Sequence, residues 1–207
     1  MPITTVVHAI VLAGGSGERL GGRAKSELPV GGTRLLDLIA RAIEPFVTGR
    51  LVILAPEAVQ VPARALRTLE DPPGGGPLAG IEAGMAALSP ATDDWVLVAG
   101  VDTPALGALT PLLVQALGSK PRHDGALVVG GEPEPFRQYL QALYRTAALT
   151  RALRKAGPLR NRGVRRVLGG LDLLDVPVEA ELCRDLDTPE DLQWWQTHLD
   201  VSRAEND

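Results

Sequence analysis

Cysteine is nearly absent: Cys183 is the only one in 207 residues. No disulfide can close within the chain, which suits a reducing, cytoplasmic setting. No window has the apolar length needed to cross a bilayer. The amino terminus lacks the basic start and continuous apolar run of a signal peptide. Neither sign of charge prevails, with 25 acidic against 21 basic side chains and a formal net charge of −4. That balance argues against a nucleic-acid or membrane-surface protein, although an anionic substrate remains compatible with locally focused basic groups. The three histidines, His8, His123 and His198, are scattered without metal-site spacing. There is no GxSxG nucleophile elbow. Aromatics are scarce at 3% while Ala, Leu, Val and Gly abound, a composition suited to an α/β protein.

What is present begins with VVHAIVLAGGSGERLGGRAK, Val6 to Lys25. Val6 to Leu12 has the length and β-branched content of a buried strand. It breaks into Ala13-Gly14-Gly15-Ser16-Gly17, then Arg19, Gly21-Gly22 and Lys25. Glycines just after a strand let backbone N–H groups approach a ligand. The Arg19 fork and the Lys25 point charge suit a polyphosphate. Two familiar phosphate loops do not match. A P-loop needs Gly at positions held by Arg19 and Ala24. A dinucleotide fingerprint starting at Gly15 needs Gly or Ala where Leu20 stands. A plain surface turn is the simpler alternative; small, anionic and cationic residues directly after a buried strand favour phosphate binding.

Strands are expected over Leu51 to Ala55, Arg64 to Leu69, Trp95 to Ala99, Gly125 to Val129 and Gln138 to Tyr144. Helices are expected over Thr33 to Phe46, with Thr33 capping its start, then over Leu78 to Leu88, Leu106 to Leu117 and Thr146 to Ala156, with a last one ending near Leu199. The alternation predicts one three-layer α/β/α domain over residues 1–199 with a mostly parallel sheet, followed by a polar tail, 200–207. Ligands of such sheets collect beyond the carboxyl ends of the strands. The glycine loop, Asp71 and Asp102 should therefore meet at one edge.

Asp102 ends an apolar strand, where a carboxylate can hold Mg²⁺ against phosphate oxygens. Capping the helix that begins near Pro104 is its alternative role. Asp71 can accept hydrogen bonds from a base edge or a ribose, or simply start the turn at Pro72. Gly76, Gly80 and Gly84 can bring backbone close to a flat base, or let a helix pack tightly. The chemistry best served is phosphoryl-type transfer without a covalent intermediate, carried by positioning and charge.

These residues form a pattern. Leu12-Ala13-Gly14-Gly15, Arg19, Leu20-Gly21-Gly22, Lys25, Leu28 to Gly32, Gly76-Pro77-Leu78-Ala79-Gly80 with Gly84, Asp102-Thr103-Pro104 and Tyr139 to Arg145 resemble the signature of the molybdenum cofactor guanylyltransferases, within the small Rossmann-like nucleotidyltransferases. The likeness runs from about Ala9 to Trp195. It implies Mg²⁺-dependent transfer of GMP from GTP to the phosphate of molybdopterin, releasing pyrophosphate. It also implies transient contact with cofactor-insertion proteins or an apo-molybdoenzyme. By this resemblance Leu12, Ala13, Gly14, Gly15 and Gly80 meet the nucleotide, Lys25 its phosphates, Asp71 the nucleoside and Asp102 the metal. Arg19, Lys25 and Asp102 form the catalytic set, and Arg160 to Arg166 lies near the pterin acceptor.

Three departures bear on the base and the acceptor. Gly100-Val101 precedes Asp102 where the family often has Pro-Cys. Asp185 and Asp187 stand where guanylyltransferases often carry asparagines, an aspartate form familiar among cytidylyltransferases. Glu27 adds negative charge close to Lys25. A cytidylyltransferase, another nucleotidyltransferase with a phosphorylated acceptor, and a catalytically silent nucleotide-binding module are the alternative readings.

Overall fold

The computed structural model describes residues 6–15, 20–119 and 122–204. Strands β1 (Val7–Leu12), β4 (Leu51–Leu54) and β6 (Trp95–Gly100) are almost wholly buried apolar runs. Such runs belong to strands covered on both faces. With β5 (Ala65–Thr68), β7 (Gly125–Gly130), β8 (Phe136–Arg145) and β9 (Leu173–Pro177) they form one seven-stranded sheet, in the order β5-β4-β1-β6-β8-β7-β9. The sheet is parallel except for β8, which runs antiparallel to both β6 and β7. The expected three layers and mostly parallel sheet are what the chain forms.

Alternation along the strands sends side chains to two cores. On one face Ala9, Val11 and Leu97 pack with helices α1 (Leu35–Ile43) and α3 (Leu106–Ser119) and with α6 (Pro189–Ala204). On the other, Ile10, Val52, Val96 and Val98 pack with α2 (Pro77–Leu88), α4 (Thr146–Ala156) and α5 (Val164–Leu168). Each such aliphatic side chain fully removed from water contributes about 1.5–3 kcal/mol. Gly84 sets how closely α2 lies on β1. A Cβ there would come within 2.9 Å of two Ile10 carbons, so even Gly84→Ala would push helix and strand apart. α6 runs to Ala204, past Leu199 and into the stretch read from the sequence as a tail.

The helix expected from Thr33 starts two residues later. Thr33–Arg34 is instead strand β3, paired with β2 (Pro29–Val30) across Gly31 and Gly32, whose φ values of +55° and +73° suit a two-residue hairpin loop. Arg34 takes the cap position and makes no side-chain cap bond; its guanidinium instead grips Asp37 at 2.8 and 2.9 Å and Glu27 at 3.1 Å. The hairpin won over the cap because two consecutive glycines remove the steric cost of that turn. It also answers the charge of Glu27.

Candidate active site

β1, β4, β5 and β6 are parallel, so their carboxyl ends and following loops share one edge. Leu12 pairs with Gly100 across that edge. A cleft of about 430 Å³ opens there, with Leu12, Gly14, Gly15, Gly80 and Asp102 in its wall. Glycine loop and Asp102 thus meet as the sequence predicts. Gly14 and Gly15 are exposed at the cleft and leave room for a ligand. Ala13 is buried, and its N–H is spent on the Leu54 carbonyl at 2.9 Å. Arg19 lies outside the described residues.

Lys25 is the hub. Its Nζ donates to Asp102 Oδ2 at 3.1 Å and also to Asp187 Oδ1. Burial would lower the Lys25 pKa, but its bonds and charge attraction to Asp187 and Asp102 outweigh this and raise it, so the ammonium stays charged. The Asp102 carboxylate makes no bond to the α3 backbone among the described residues, which leaves the capping alternative without support. Gly100 has a local part here: a Cβ added at it would collide with Asp102 Oδ1. The departure from the family's usual approach therefore leaves space for the carboxylate to fold back.

Asp187 is 162 residues from Lys25 in sequence. What carries it there is a backbone bond from Leu186 N–H to the Asp102 carbonyl at 2.7 Å, with Leu186 buried beneath. The segment is also anchored at α6, where Thr188 and Asp191 form a reciprocal capping box. Thr188 N–H donates to Asp191 Oδ2 at 2.9 Å, and Asp191 N–H donates to Thr188 Oγ1 at 3.2 Å. Asp185 points into a second cavity. Desolvation, then repulsion from Asp102 and Asp187, pushes its pKa up to about 7 against the pull of Lys25 and a hydrogen bond from Thr103. The carboxyl is exposed to water in the cavity yet crowded by protein on its flanks.

That second cavity, about 1020 Å³, lies over β8 and α5 and includes Arg137, Arg165 and Arg166. Phe136, 53% exposed, stands in its wall. It shares Gly100, Asp102 and Leu140 with the first cleft, so Asp102 stands where the two meet. Thr103, buried, is held by Gln141 Nε2 at 2.9 Å beneath this junction.

Asp71 is exposed and is not part of the cleft wall, whereas its neighbour Glu70 is. Glu70 Oε1 accepts from Gly74 N–H at 3.0 Å and Gly75 N–H at 3.1 Å, which orders the loop bordering the cleft. An acid directly before a glycine-rich turn was the available signal. The basic stretch divides. Arg160 donates to the Pro72 and Pro73 carbonyls at 2.7 and 3.1 Å, clamping that loop, while Arg165 and Arg166 reach the second cavity. No group of three His, Cys, Asp or Glu side chains is arranged to hold a metal among the described residues. Asp102 and Asp187 nevertheless suit Mg²⁺, which takes one or two carboxylates and completes its shell with phosphates and water. No helix among the described residues is long and apolar enough to cross a membrane.

Residues 9–176 match the family described as the MobA-like NTP transferase domain. A molybdenum cofactor guanylyltransferase of Pseudomonas paraeruginosa is 36% identical over 132 residues, 61% of this chain and 64% of that relative, so the chain spans less than two thirds of it. A probable molybdenum cofactor guanylyltransferase of Chloroflexus aggregans is 30% identical over 96% of this chain and 98% of its own. The fold recurs in molybdopterin-guanine dinucleotide biosynthesis protein A of Archaeoglobus fulgidus, with a TM-score of 0.63, 20% identity and coverage of 94% and 99% of the two chains. It recurs too in 2-C-methyl-D-erythritol 4-phosphate cytidylyltransferase of Thermus thermophilus, at 0.70, 20%, 93% and 98%. Matched over most of its length, and with a relative 30% identical almost end to end, the chain belongs to the MobA-like NTP transferase family.

Proposed function

We propose that this protein transfers GMP from GTP to the terminal phosphate of molybdopterin, forming the guanine dinucleotide cofactor and pyrophosphate. The observation that carries this reading is the meeting of two cavities at Asp102, which Lys25 ties to Asp187. One is lined by glycines and sized for a nucleotide; the other is larger, with cationic side chains and an exposed aromatic. A reaction between two bound anions needs both, with charge control at the boundary.

In this reading the nucleotide lies along Leu12, Gly14, Gly15 and Gly80, and Glu70 and Asp71 serve its nucleoside end. The acceptor's phosphate is drawn by Arg165 and Arg166, and Phe136 offers a face for stacking a flat ring system. An acceptor phosphate oxygen forms a bond to the α-phosphorus as the bond to the bridging oxygen breaks and pyrophosphate departs. Lys25 offsets negative charge on the triphosphate, the role that the family resemblance also gives to Arg19. Asp102 and Asp187 would hold Mg²⁺, which neutralises phosphate charge and favours the departing group. Lys25 keeps the two carboxylates together in the meantime. Positioning and charge complementarity carry the rate, with the acceptor phosphate itself as the nucleophile.

A competition assay tests the base: radiolabelled GTP and molybdopterin, with unlabelled CTP or ATP added and Mg²⁺ present. GTP alone should act as donor. Preference for CTP would move the assignment to the cytidylyl branch, to which the Asp185 and Asp187 pair gives a specific claim. Nucleotide binding without product, using authentic acceptor, would favour the silent module.

A further inference from the structure

Between Pro135 and Leu171 the chain carries nine Lys and Arg residues and not one Asp or Glu. The rest of the protein then holds twelve cations against 25 acids. Charge is therefore segregated within a chain whose net charge is only −4. Part of this excess faces the second cavity through Arg137, Arg165 and Arg166, where an anionic substrate accounts for it. The remainder does not.

On the outer side of α5 lies a separate groove of about 360 Å³, bounded by α4 and α5. Arg151, Lys155, Arg162 and Arg166 rim it, and its floor is apolar, including Ala152 and Val167. Asp124 faces the rim from the end of the sheet and pairs with Arg151 at 3.1 Å. Lys155, Arg162 and Arg166 have no carboxylate partner among the described residues. Cations left unpaired around an apolar floor are complementary to a segment that presents carboxylates together with an apolar side chain. Arg166 lines both this groove and the second cavity, so the groove adjoins the site without being part of it.

We propose that the α4–α5 groove is a docking surface for a short acidic segment of a partner protein, its carboxylates on Lys155 and Arg162 and one apolar side chain on the floor. A nucleic acid is the poorer occupant. The groove holds only a few side chains and, among the described residues, offers no aromatic face on which a base could stack. The surface stands independently of the reaction proposed above.

The test is fluorescence anisotropy of the full-length protein with a fluorescein-labelled octapeptide of six glutamates and two leucines. Binding should be saturable and weaken at least about fivefold when salt rises from about 50 to about 300 mM. Lys155→Glu/Arg162→Glu should weaken it at least about tenfold, whereas Arg41→Glu on α1, in the opposite layer, should leave it unchanged. Should the double variant lose its fold by circular dichroism, Lys155→Glu alone carries the test with about a threefold loss. Lys155→Glu should also leave nucleotidyl transfer at its original rate, because Lys155 lies outside both cavities. No saturable binding, equal binding by the charge-reversed variants, or equal or tighter binding of a labelled eight-base single-stranded oligonucleotide would each overturn the docking surface. Absence of GMP transfer by the unaltered protein, with its peptide binding intact, would count against the proposed reaction alone.

Discussion

The same two strands, β1 and β6, have a cluster of polar side chains at each end, and the two clusters are built differently. At the amino end, His8 Nδ1 accepts from the Arg50 N–H at 2.9 Å, so Nε2–H is left to donate to Asp94 Oδ2 at 3.2 Å. Asp94 Oδ2 accepts the Ala91 N–H as well, at 2.8 Å. Both side chains are largely buried, and each carries two bonds. At the carboxyl end one ammonium, Lys25, serves Asp102 and Asp187 with Asp185 close by; Asp102 opens onto both cavities and Asp185 onto the larger. The first end is closed, with its polar groups matched by hydrogen bonds, which serves stability. The second has more carboxylates than local cations, an arrangement that costs stability unless something positive binds there. Carboxylates crowded beside open cavities, rather than the presence of a carboxylate as such, separate the working edge from the structural one.

Breaking each end should therefore give opposite signatures. Asp102→Ala is expected to cut nucleotidyl transfer by about a hundredfold or more. It should barely move the melting temperature, since the carboxylate is 35% exposed and Lys25 retains Asp187. Steady-state pyrophosphate release beside a thermal melt measures both. A large loss of stability with activity per folded molecule intact would make Asp102 structural. His8→Ala should do the reverse, costing about 2 kcal/mol by stranding Asp94 and the Arg50 N–H. Urea unfolding measures that cost, and turnover per folded molecule should hold.

Gly100→Ala sharpens the comparison within the working edge. Gly100 is a strand residue and needs no unusual φ, so the fold should survive. The added Cβ displaces the Asp102 carboxylate, and transfer should fall about tenfold, with nucleotide affinity by calorimetry changing less. An unaltered rate would mean that the carboxylate position seen here is not the working one.

The legible parts of this molecule were those encoded locally. Apolar runs gave the strands, and Thr146–Ala156 is helical over the span its periodicity implies. The glycine loop and Asp102 both follow strands, so a parallel sheet had to bring them to one edge. What was not legible depended on distant pairing. Asp187 reaches Lys25 only because Leu186 bonds to the Asp102 backbone and a capping box fixes the start of α6. Glu70 and Asp71 are adjacent acids, and only the fold of the loop after β5 decides that Glu70 borders the cleft. Arg160 looked like part of a substrate-facing cluster, yet it is spent on two proline carbonyls. Nor does a list of strands reveal that β8 inserts antiparallel between β6 and β7.

The smallest effect concerns pH at the imbalanced end. The folded-state pKa of Asp185, about 7, lies above the ordinary carboxylate value, so the folded protein holds a proton there that the unfolded chain has released. This contribution to stability is full below about pH 4 and fades as pH rises through about 7. Asp185→Asn removes the titration. The variant should show a flatter dependence of melting temperature on pH between about 4 and 7, and a higher melting temperature than the parent above that range. Because Asp185 is exposed at the open cavity, screening keeps the shift small, about 2 °C or less. If Asp185→Asn left the pH profile unchanged, the crowding of carboxylates at this end would not set the charge of Asp185, and the contrast between the two ends of β1 and β6 would lose its electrostatic basis.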